Sequence, residues 1–230
     1  MYDLDIDSEG GEEYEIKLVH CKQKNTWDCG LSCIMMVLSE KEREFFINNF
    51  DEICKAEGFG KSTWTIDLCY LMKRFSIEFI FYTTVVGIDP GHKSQFFYAK
   101  ILPQDRERVI QKFRDAKKSG IDVREKSVRT RELIRHIKYH GPVILLVNAG
   151  YLTCDHCKKN NFTTKLIHCF PQSTNYHGHY IVLCGYSLKN KQLYYRNPAY
   201  TNRLCAVKFS ALNKARFSYG TDEDCIFIFQ

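Results

Sequence analysis

The chain has 230 residues, of which 44% are hydrophobic and 14% aromatic, and it carries a formal net charge of +6. This length supports one large domain or two small ones around a substantial hydrophobic core. Lysines and arginines are scattered among acidic residues and form no basic stripe interleaved with aromatics, so the sequence predicts no nucleic-acid partner. No apolar run approaches the roughly 18–20 residues that a transmembrane helix needs, so no membrane span is predicted.

The eleven cysteines and the character of the N-terminus indicate where the protein resides. Residues 1–15 are acidic and lack the basic-then-apolar pattern of a secretion signal, so they are predicted to be a mobile leader before a domain at 16–230. Without a secretion signal, the cysteines are expected to be reduced thiols, metal ligands or nucleophiles. The sequence therefore predicts a location in the cytoplasm, with the nucleus as a further location. The protein is expected to be a monomer.

Helices dominate the predictions for the first two thirds of the chain. Apolar residues recur at helical spacing after Cys29, and His140-Gly141-Pro142 is typical of a helix end. Residues 87–100 are expected to form a loop at the edge of a cleft. In chain order the predicted elements are a strand at 15–20, helices at 29–39 and 45–56, a helix starting at 62–67, a strand at 77–86, a helix at 105–118, a weak strand at 123–128 and a helix at 130–139.

The last third of the chain is rich in strand-like segments. They lie at 142–148, 179–186, 192–196, 204–209 and 225–229, with a short helix at 211–217. A run of helices followed by a run of strands is typical of an α+β fold. We therefore predict an N-terminal helical lobe packed on a C-terminal antiparallel sheet lobe.

Cys29 has the surroundings of a nucleophile. It begins the first predicted helix, where the positive end of the helix dipole lowers a thiol pKa, and Gly30 allows a substrate to approach closely. Gln23, six positions earlier, offers an amide N–H that with the Cys29 backbone N–H forms a predicted oxyanion hole. The alternative is a free cysteine buried at the start of a core helix.

A nucleophilic cysteine needs a base, and His179 is the best candidate among eight histidines. It precedes an apolar strand whose antiparallel neighbour ends at Asn197, so the Asn197 side chain is expected to reach and orient the imidazole. His177 competes for the role of base. Taken singly, His179 fits a surface histidine at a strand end, and Asn197-Pro198 an ordinary turn.

The segment from Gln23 to Cys33, Gly178-His179-Tyr180 and Asn197-Pro198 resemble the C39-like branch of the papain-fold cysteine peptidases. That resemblance implies a papain-like fold with Gln23 at the oxyanion, Cys29 as nucleophile, His179 as base and Asn197 where C39 peptidases carry an orienting aspartate. Longer blocks are similar to the eukaryotic guanylyl cyclase domain-containing protein family, from about Val19 to Phe229. These blocks are Trp27–Leu31, Ser62–Leu68, Asn197–Tyr200 and Ser218–Asp224.

The second resemblance also implies a guanylyl cyclase, which would convert GTP to cyclic GMP. Metal-dependent cyclases need carboxylates that hold two divalent cations at the phosphates. The sequence has no glycine-rich phosphate loop and no pair of strand-borne aspartates at suitable spacing. Asp222-Glu223-Asp224 is acidic enough to bind a cation, but such a run is more often a solvated turn.

Residues 151–172 form a predicted insertion in which a Cys-x-x-Cys pair with further cysteine and histidine nearby suits tetrahedral zinc, although the spacing is shorter than in a standard zinc finger. Cys154, Cys157 and Cys169 are the first three predicted ligands, and His168 or His156 is the fourth. Four protein ligands leave no open position, so such a zinc ion would be structural, and no cofactor is predicted for catalysis. The alternatives are a loop with reactive surface thiols and a redox-active Cys-x-x-Cys pair.

Two classes of function are open at this point. The first is a thiol hydrolase that acts on a protein or peptide substrate through Cys29, His179 and Asn197. The second is a protein-binding module that keeps the same fold with a silent site. The sequence favours the enzyme because each catalytic role has a chemically competent residue.

Overall fold

The computed structural model describes residues 12–59, 62–91, 96–155, 176–200 and 202–230. Within these ranges the chain forms a mixed α and β structure built around one eight-stranded sheet. No helix in the described ranges is both long and apolar enough to cross a bilayer.

The elements follow one another in a mostly helical first half and a strand-rich second half. The helices are α1 (Cys29–Val37), α2 (Glu40–Asn48), α3 (Phe50–Ala56), α4 (Thr65–Arg74), α5 (Phe96–Asp115), α6 (Thr130–Tyr139) and α7 (Phe209–Arg216). The strands are β1 (Glu13–Glu15), β2 (Glu78–Thr83), β3 (Val123–Glu125), β4 (Val143–Asn148), β5 (Gly178–Ser187), β6 (Gln192–Arg196), β7 (Cys205–Lys208) and β8 (Cys225–Phe229).

The sheet has the order β3-β2-β8-β4-β5-β6-β7, and β1 pairs with the C-terminal part of β5. All neighbouring strands are antiparallel except β2 and β3, which are parallel. The central strand β4 is buried along its whole length. Burial on both faces is the reason that its sequence, Val-Ile-Leu-Leu-Val, is continuously apolar instead of alternating.

Helices cover both faces of this sheet, so the predicted division into a helical lobe and a sheet lobe is wrong. On one face α1, α4 and α5 share a core with alternate residues of β4, β5 and β8, while α6 and α7 share a second core with the intervening residues on the other face. Strand β2, from the helical half of the chain, lies between β3 and β8. The α+β class is confirmed, but its layers mix segments from both halves.

Several predicted boundaries also need correction. The leader predicted at residues 1–15 is too long, because Glu13–Glu15 is a strand that pairs with β5. The helix predicted at 45–56 is two helices, α2 and α3, which meet at Asn49. The loop predicted at 87–100 ends earlier, since α5 begins at Phe96.

A buried cluster of charges joins α4 to α5. The Asp67 side chain is fully buried, and its carboxylate accepts a hydrogen bond from the backbone N–H of Trp64 at 3.0 Å. It also forms ion pairs with Arg108 and with Lys112, whose Nζ lies 3.0 Å away. Asp67 therefore caps the N-terminus of α4, and the two cations link α4 to α5.

We expect Asp67→Ala to destabilise the fold strongly, because two half-buried cations and the Trp64 backbone N–H lose a buried acceptor. Arg108 and Lys112 keep only their weaker polar links to Asp105 and Glu57. Loss of one member of a buried ion pair costs about 3–5 kcal/mol, measured as the change in free energy of unfolding in urea. Asp122→Ala is the matched control: it breaks an exposed pair with Arg124 and is expected to cost under about 1 kcal/mol. Equal losses in the two variants would contradict this account.

Candidate active site

Cys29 is the first residue of α1, as its sequence context predicts, and a short loop positions it. The buried Asp28 carboxylate accepts hydrogen bonds from the backbone N–H groups of Lys24 and Asn25, at 3.2 and 3.0 Å. Thr63 donates its hydroxyl hydrogen to the Trp27 carbonyl at 2.7 Å. Asp28 and Thr63 thus set the shape of the loop that leads into the helix, a role that the sequence did not indicate.

The Cys29 thiol is buried, with 5% of the residue exposed. Burial raises its pKa to about 11, against the lowering effect of the backbone N–H groups of Tyr180 and Gly30. The negative charge of Asp28 adds a smaller increase. The predicted lowering of the Cys29 pKa is therefore wrong for the resting protein, because removal from water outweighs the N–H groups at the helix N-terminus.

Gly30 is required for close packing within the protein. A Cβ atom at this position would lie 2.8 Å from a Leu68 methyl carbon and 3.1 Å from the Tyr180 ring. These distances are too short for a side chain, so Gly30 lets α1 lie directly against α4 and β5. The sequence correctly indicates a close approach, but the approaching groups are core side chains.

His179 and Asn197 are in contact, as the hairpin between β5 and β6 predicts. The His179 Nε2 atom lies 2.9 Å from Asn197 Oδ1, which also accepts the Ala199 backbone N–H at 3.0 Å. An oxygen that accepts from Ala199 requires Nε2 to be the donor, so Nδ1 is left as the basic nitrogen. Burial lowers the pKa of His179, and the hydrogen bond that its ring donates to Asn197 opposes this shift.

Tyr180 is the residue of β5 that contacts the Cys29 thiol. The thiol lies beside the Tyr180 backbone N–H, one residue after His179. Tyr180 packs on the α1 face of the sheet, and Ile181 packs on the opposite face. Because side chains alternate along a strand, the His179 side chain leaves the strand on the same face as Ile181, away from α1. Among the described residues no hydrogen bond joins the Cys29 thiol to the His179 imidazole, and neither group shifts the pKa of the other, so the structure does not show the predicted contact between them.

Gln23 is adjacent to the His179–Asn197 pair. Its backbone N–H donates to the Pro198 carbonyl at 2.9 Å, and its side-chain amide donates to the Asn25 carbonyl at 2.6 Å. The side-chain Oε1 is shielded from solvent and accepts no hydrogen bond. One amide hydrogen of Gln23 is thus engaged within the loop, and the second is the one available to an oxyanion.

A cavity of about 430 Å³ opens beside the Cys29 thiol. Its rim includes the exposed residues Thr26 and His177, and its depth reaches the end of the sheet near β8. The walls are largely aromatic, and two carboxylates complete the lining. The principal members are Trp27, Trp64, Tyr98, Tyr176, Tyr180, Asp222 and Asp224.

Comparison with known proteins identifies the family of this chain. The family model for "Guanylylate cyclase" matches residues 18–228. The chain belongs to this family. It is also 33% identical over 216 residues to Guanylyl cyclase 1 from Arabidopsis thaliana, a match that covers 91% of this chain and 74% of the plant protein.

Among solved structures, this guanylylate cyclase family member matches a crystal structure described as a C39-like peptidase from Bacillus anthracis. The two are 21% identical with a TM-score of 0.29, and the match covers 43% of this chain and 46% of that one. Less than half of the peptidase is therefore aligned. The family match, by contrast, includes Gln23, Cys29, His179 and Asn197.

Asp224 is the site residue of this family member that sequence reasoning missed. It was predicted to lie in a solvated turn, yet its Oδ1 atom is sealed from solvent and accepts no hydrogen bond. Burial, and to a smaller extent the charge of Asp222, raise the pKa of Asp224 well above its usual range, while the hydroxyls of Thr65 and Thr83 oppose this. The signal in the sequence is that the apolar strand β8 follows Asp224 directly, so the last acidic residue of the run lies next to a buried strand.

The zinc site stays a prediction for this family member. Cys154 is buried near the end of the described segment. Cys157, His168 and Cys169, and the alternative ligand His156, lie outside the described residues. In the described ranges no group of three or more histidine, cysteine or acidic side chains is arranged to hold a metal.

Proposed function

We propose that this chain is a papain-like thiol hydrolase that acts on a peptide or peptide-like bond. Cys29 is the nucleophile, His179 the general base, and Asn197 holds the imidazole. The single observation that carries the proposal is the 2.9 Å contact between His179 Nε2 and Asn197 Oδ1. The next residue along the strand, Tyr180, places its backbone N–H beside the Cys29 sulfur. Nucleophilic catalysis by cysteine requires a thiol, a base and a group that orients the base, and Cys29, His179 and Asn197 have the chemistry for those roles.

In the proposed reaction His179 Nδ1 takes the proton of the Cys29 thiol as the sulfur attacks the substrate carbonyl carbon. The resulting oxyanion is bound by the Cys29 backbone N–H and the Gln23 amide. Collapse of this intermediate breaks the scissile bond, and His179 gives its proton to the leaving amine. Water, deprotonated by the same imidazole, then hydrolyses the thioester and restores the thiol.

The resting site favours general-base catalysis over a preformed ion pair. Burial raises the pKa of Cys29 to about 11 and lowers the pKa of His179. Both shifts favour the neutral forms, so near neutral pH the thiol and the imidazole are both uncharged. Proton transfer then accompanies attack on the substrate.

This protonation state predicts how alkylation of Cys29 depends on pH. The thiolate is the reactive form, so the rate with iodoacetamide is expected to rise continuously from about pH 6 to about pH 9. Mass spectrometry of the peptide containing Cys29 measures the rate. A plateau at acidic pH that disappears in His179→Ala would instead show a resting thiolate–imidazolium pair and contradict this prediction.

Gln23→Ala tests the oxyanion hole. Removal of one donor typically lowers kcat by about 10²–10³. Because the donor acts on the intermediate and not on the thiol, iodoacetamide alkylation of Cys29 should change little. A parallel loss of alkylation would indicate that the variant disturbs the loop from Gln23 to Asp28, and Lys22→Ala, at the exposed residue before Gln23, is the matched control.

The overall test of the proposal is cleavage of a mixed peptide library, read by mass spectrometry, with wild-type protein and Cys29→Ser. Products that form only with the wild type identify both activity and bond preference. Absence of all cleavage by folded wild-type protein overturns the hydrolase assignment in favour of a protein-binding module.

Guanylyl cyclase activity is the second candidate, and the printed name of the plant relative favours it. Asp222 and Asp224 are the two carboxylates that line the cavity and are the residues such chemistry would use. Cyclic GMP formation from GTP with Mg²⁺ or Mn²⁺ tests it. Activity that survives Cys29→Ala and is lost in Asp224→Asn would support the cyclase and contradict the thiol mechanism.

A further inference from the structure

The cavity beside Cys29 is acidic although the chain as a whole is basic. The chain carries a formal net charge of +6. Among the described residues that line the cavity, two are aspartates, one is a histidine and none is a lysine or arginine. Local charge and overall charge therefore have opposite signs, which favours a cationic group at this one place.

Asp224 has unused capacity to accept a hydrogen bond. Its Oδ1 atom is shielded from solvent and accepts none, whereas its main chain is fully engaged: its N–H donates to the Thr221 carbonyl and its carbonyl accepts the Leu146 N–H. A buried carboxylate oxygen without a donor is costly. Asp224 also lines the cavity, so a charged N–H donor that a ligand brings into the cavity would favour its carboxylate.

Aromatic side chains form the walls between the rim and Asp224. The centroids of the Trp64 and Tyr98 rings lie 5.2 Å apart, and the Tyr98 ring stacks on the Tyr176 ring with 5.5 Å between their centroids. Hydrogen bonds hold two of these walls: Trp64 Nε1 donates to Asp105 at 3.0 Å, and the Tyr98 hydroxyl donates to the Gly220 carbonyl at 2.6 Å. Such walls are built before a ligand arrives, and they suit an aliphatic chain that ends in a cation.

We propose that this cavity is the specificity pocket of the enzyme and that it takes the side chain of a basic substrate residue, with the ammonium or guanidinium group at Asp224. This inference rests on the proposed hydrolase function, since it places that side chain next to the bond attacked by Cys29. The cavity volume of about 430 Å³ is within the range of small-ligand sites.

The charge balance of binding follows from the state of the empty pocket. Burial raises the pKa of Asp224, which favours the protonated carboxyl group while the pocket is empty. Entry of a cation restores the carboxylate, and the displaced proton leaves to solvent. The bound pair is then neutral overall, which a buried site tolerates better than a single charge.

Binding to the Cys29→Ala protein tests the pocket without any need for turnover. The only two tryptophans, Trp27 and Trp64, both line the cavity, so their fluorescence reports occupancy. The probes are Nα-acetyl-lysine amide, its neutral analogue Nα-acetyl-norleucine amide, and norleucine amide, which carries only an α-ammonium group. We expect the lysine probe to bind at least about tenfold more tightly than either other probe, as a charge-assisted hydrogen bond provides.

Asp224→Asn removes the charge with little change in shape and should reduce the preference for lysine over norleucine to within about twofold. Glu223→Gln is the matched control, because Glu223 loses the same charge, bonds Ser127 and does not line the cavity. It should keep the full preference.

Equal binding of the lysine and acetyl-norleucine probes by the Cys29→Ala protein overturns the pocket assignment, even if Asp224→Asn does not fold. If norleucine amide binds more tightly than Nα-acetyl-lysine amide, the pocket takes an α-ammonium group and not a basic side chain. These outcomes are measured as binding and do not depend on cleavage, so they can be interpreted even if the hydrolase proposal fails.

Discussion

Cys29→Ala is expected to reduce cleavage of any peptide that the wild-type protein hydrolyses by at least about 10³-fold, to the background rate. The reason is that the sulfur forms the covalent bond to the substrate, and no neighbouring group replaces it. Deletion of a buried thiol at the start of α1 leaves only a small cavity, so the free energy of unfolding should change little. Steady-state cleavage, measured together with urea unfolding, separates loss of chemistry from loss of fold.

Cys21→Ser is the matched control for that variant. Cys21 is a half-buried free thiol close to the same helix, and burial raises its pKa as burial does for Cys29. Cys21→Ser should keep both cleavage and labelling of Cys29 by a thiol-reactive probe. If Cys29→Ala were labelled and active at the wild-type level, Cys29 would not be the nucleophile.

His179→Ala is expected to lower kcat by about 10²–10⁴-fold, the usual contribution of a general base. Near neutral pH the resting thiol is protonated, because burial raises its pKa to about 11, so attack depends on a base that removes the proton. The residual rate should rise as the pH increases towards the thiol pKa, since hydroxide then replaces the imidazole. A pH profile of kcat measures both effects.

Asn197 variants test whether His179 acts with its orienting partner. Asn197→Ala removes the 2.9 Å contact and should lose a large part of the same activity, whereas Asn197→Asp restores an acceptor and adds a charge that stabilises the imidazolium. His177→Ala is the matched control on the same strand end and should retain activity. A large loss in His177→Ala with none in His179→Ala would transfer the role of base to His177.

The candidate site was predictable where its geometry is set by neighbouring residues in the sequence. The helix at Cys29 begins where the apolar spacing starts. The approach of Asn197 to His179 follows from a short hairpin between two recognisable strands. In both cases the local pattern restricts the backbone, and the backbone then determines the position of the side chain.

The surroundings of the thiol were not predictable in the same way. Its pKa depends on burial beneath β5 and beside α4, segments distant in sequence, and not only on the helix that carries it. The same reason explains the error at Asp224. An acidic run predicts solvent exposure, but the fold places one oxygen of Asp224 beneath the aromatic walls of a cavity.

By itself, the sequence determined the order of helices and strands, the start of α1 at Cys29 and the pairing of His179 with Asn197, because each depends on interactions within a short stretch of chain. Only the tertiary structure decided that helices cover both faces of one sheet, that the Cys29 thiol is neutral at rest, and that Asp224 lies in a cavity beside it. Those features arise from desolvation by remote segments, and desolvation depends on which surfaces meet in space.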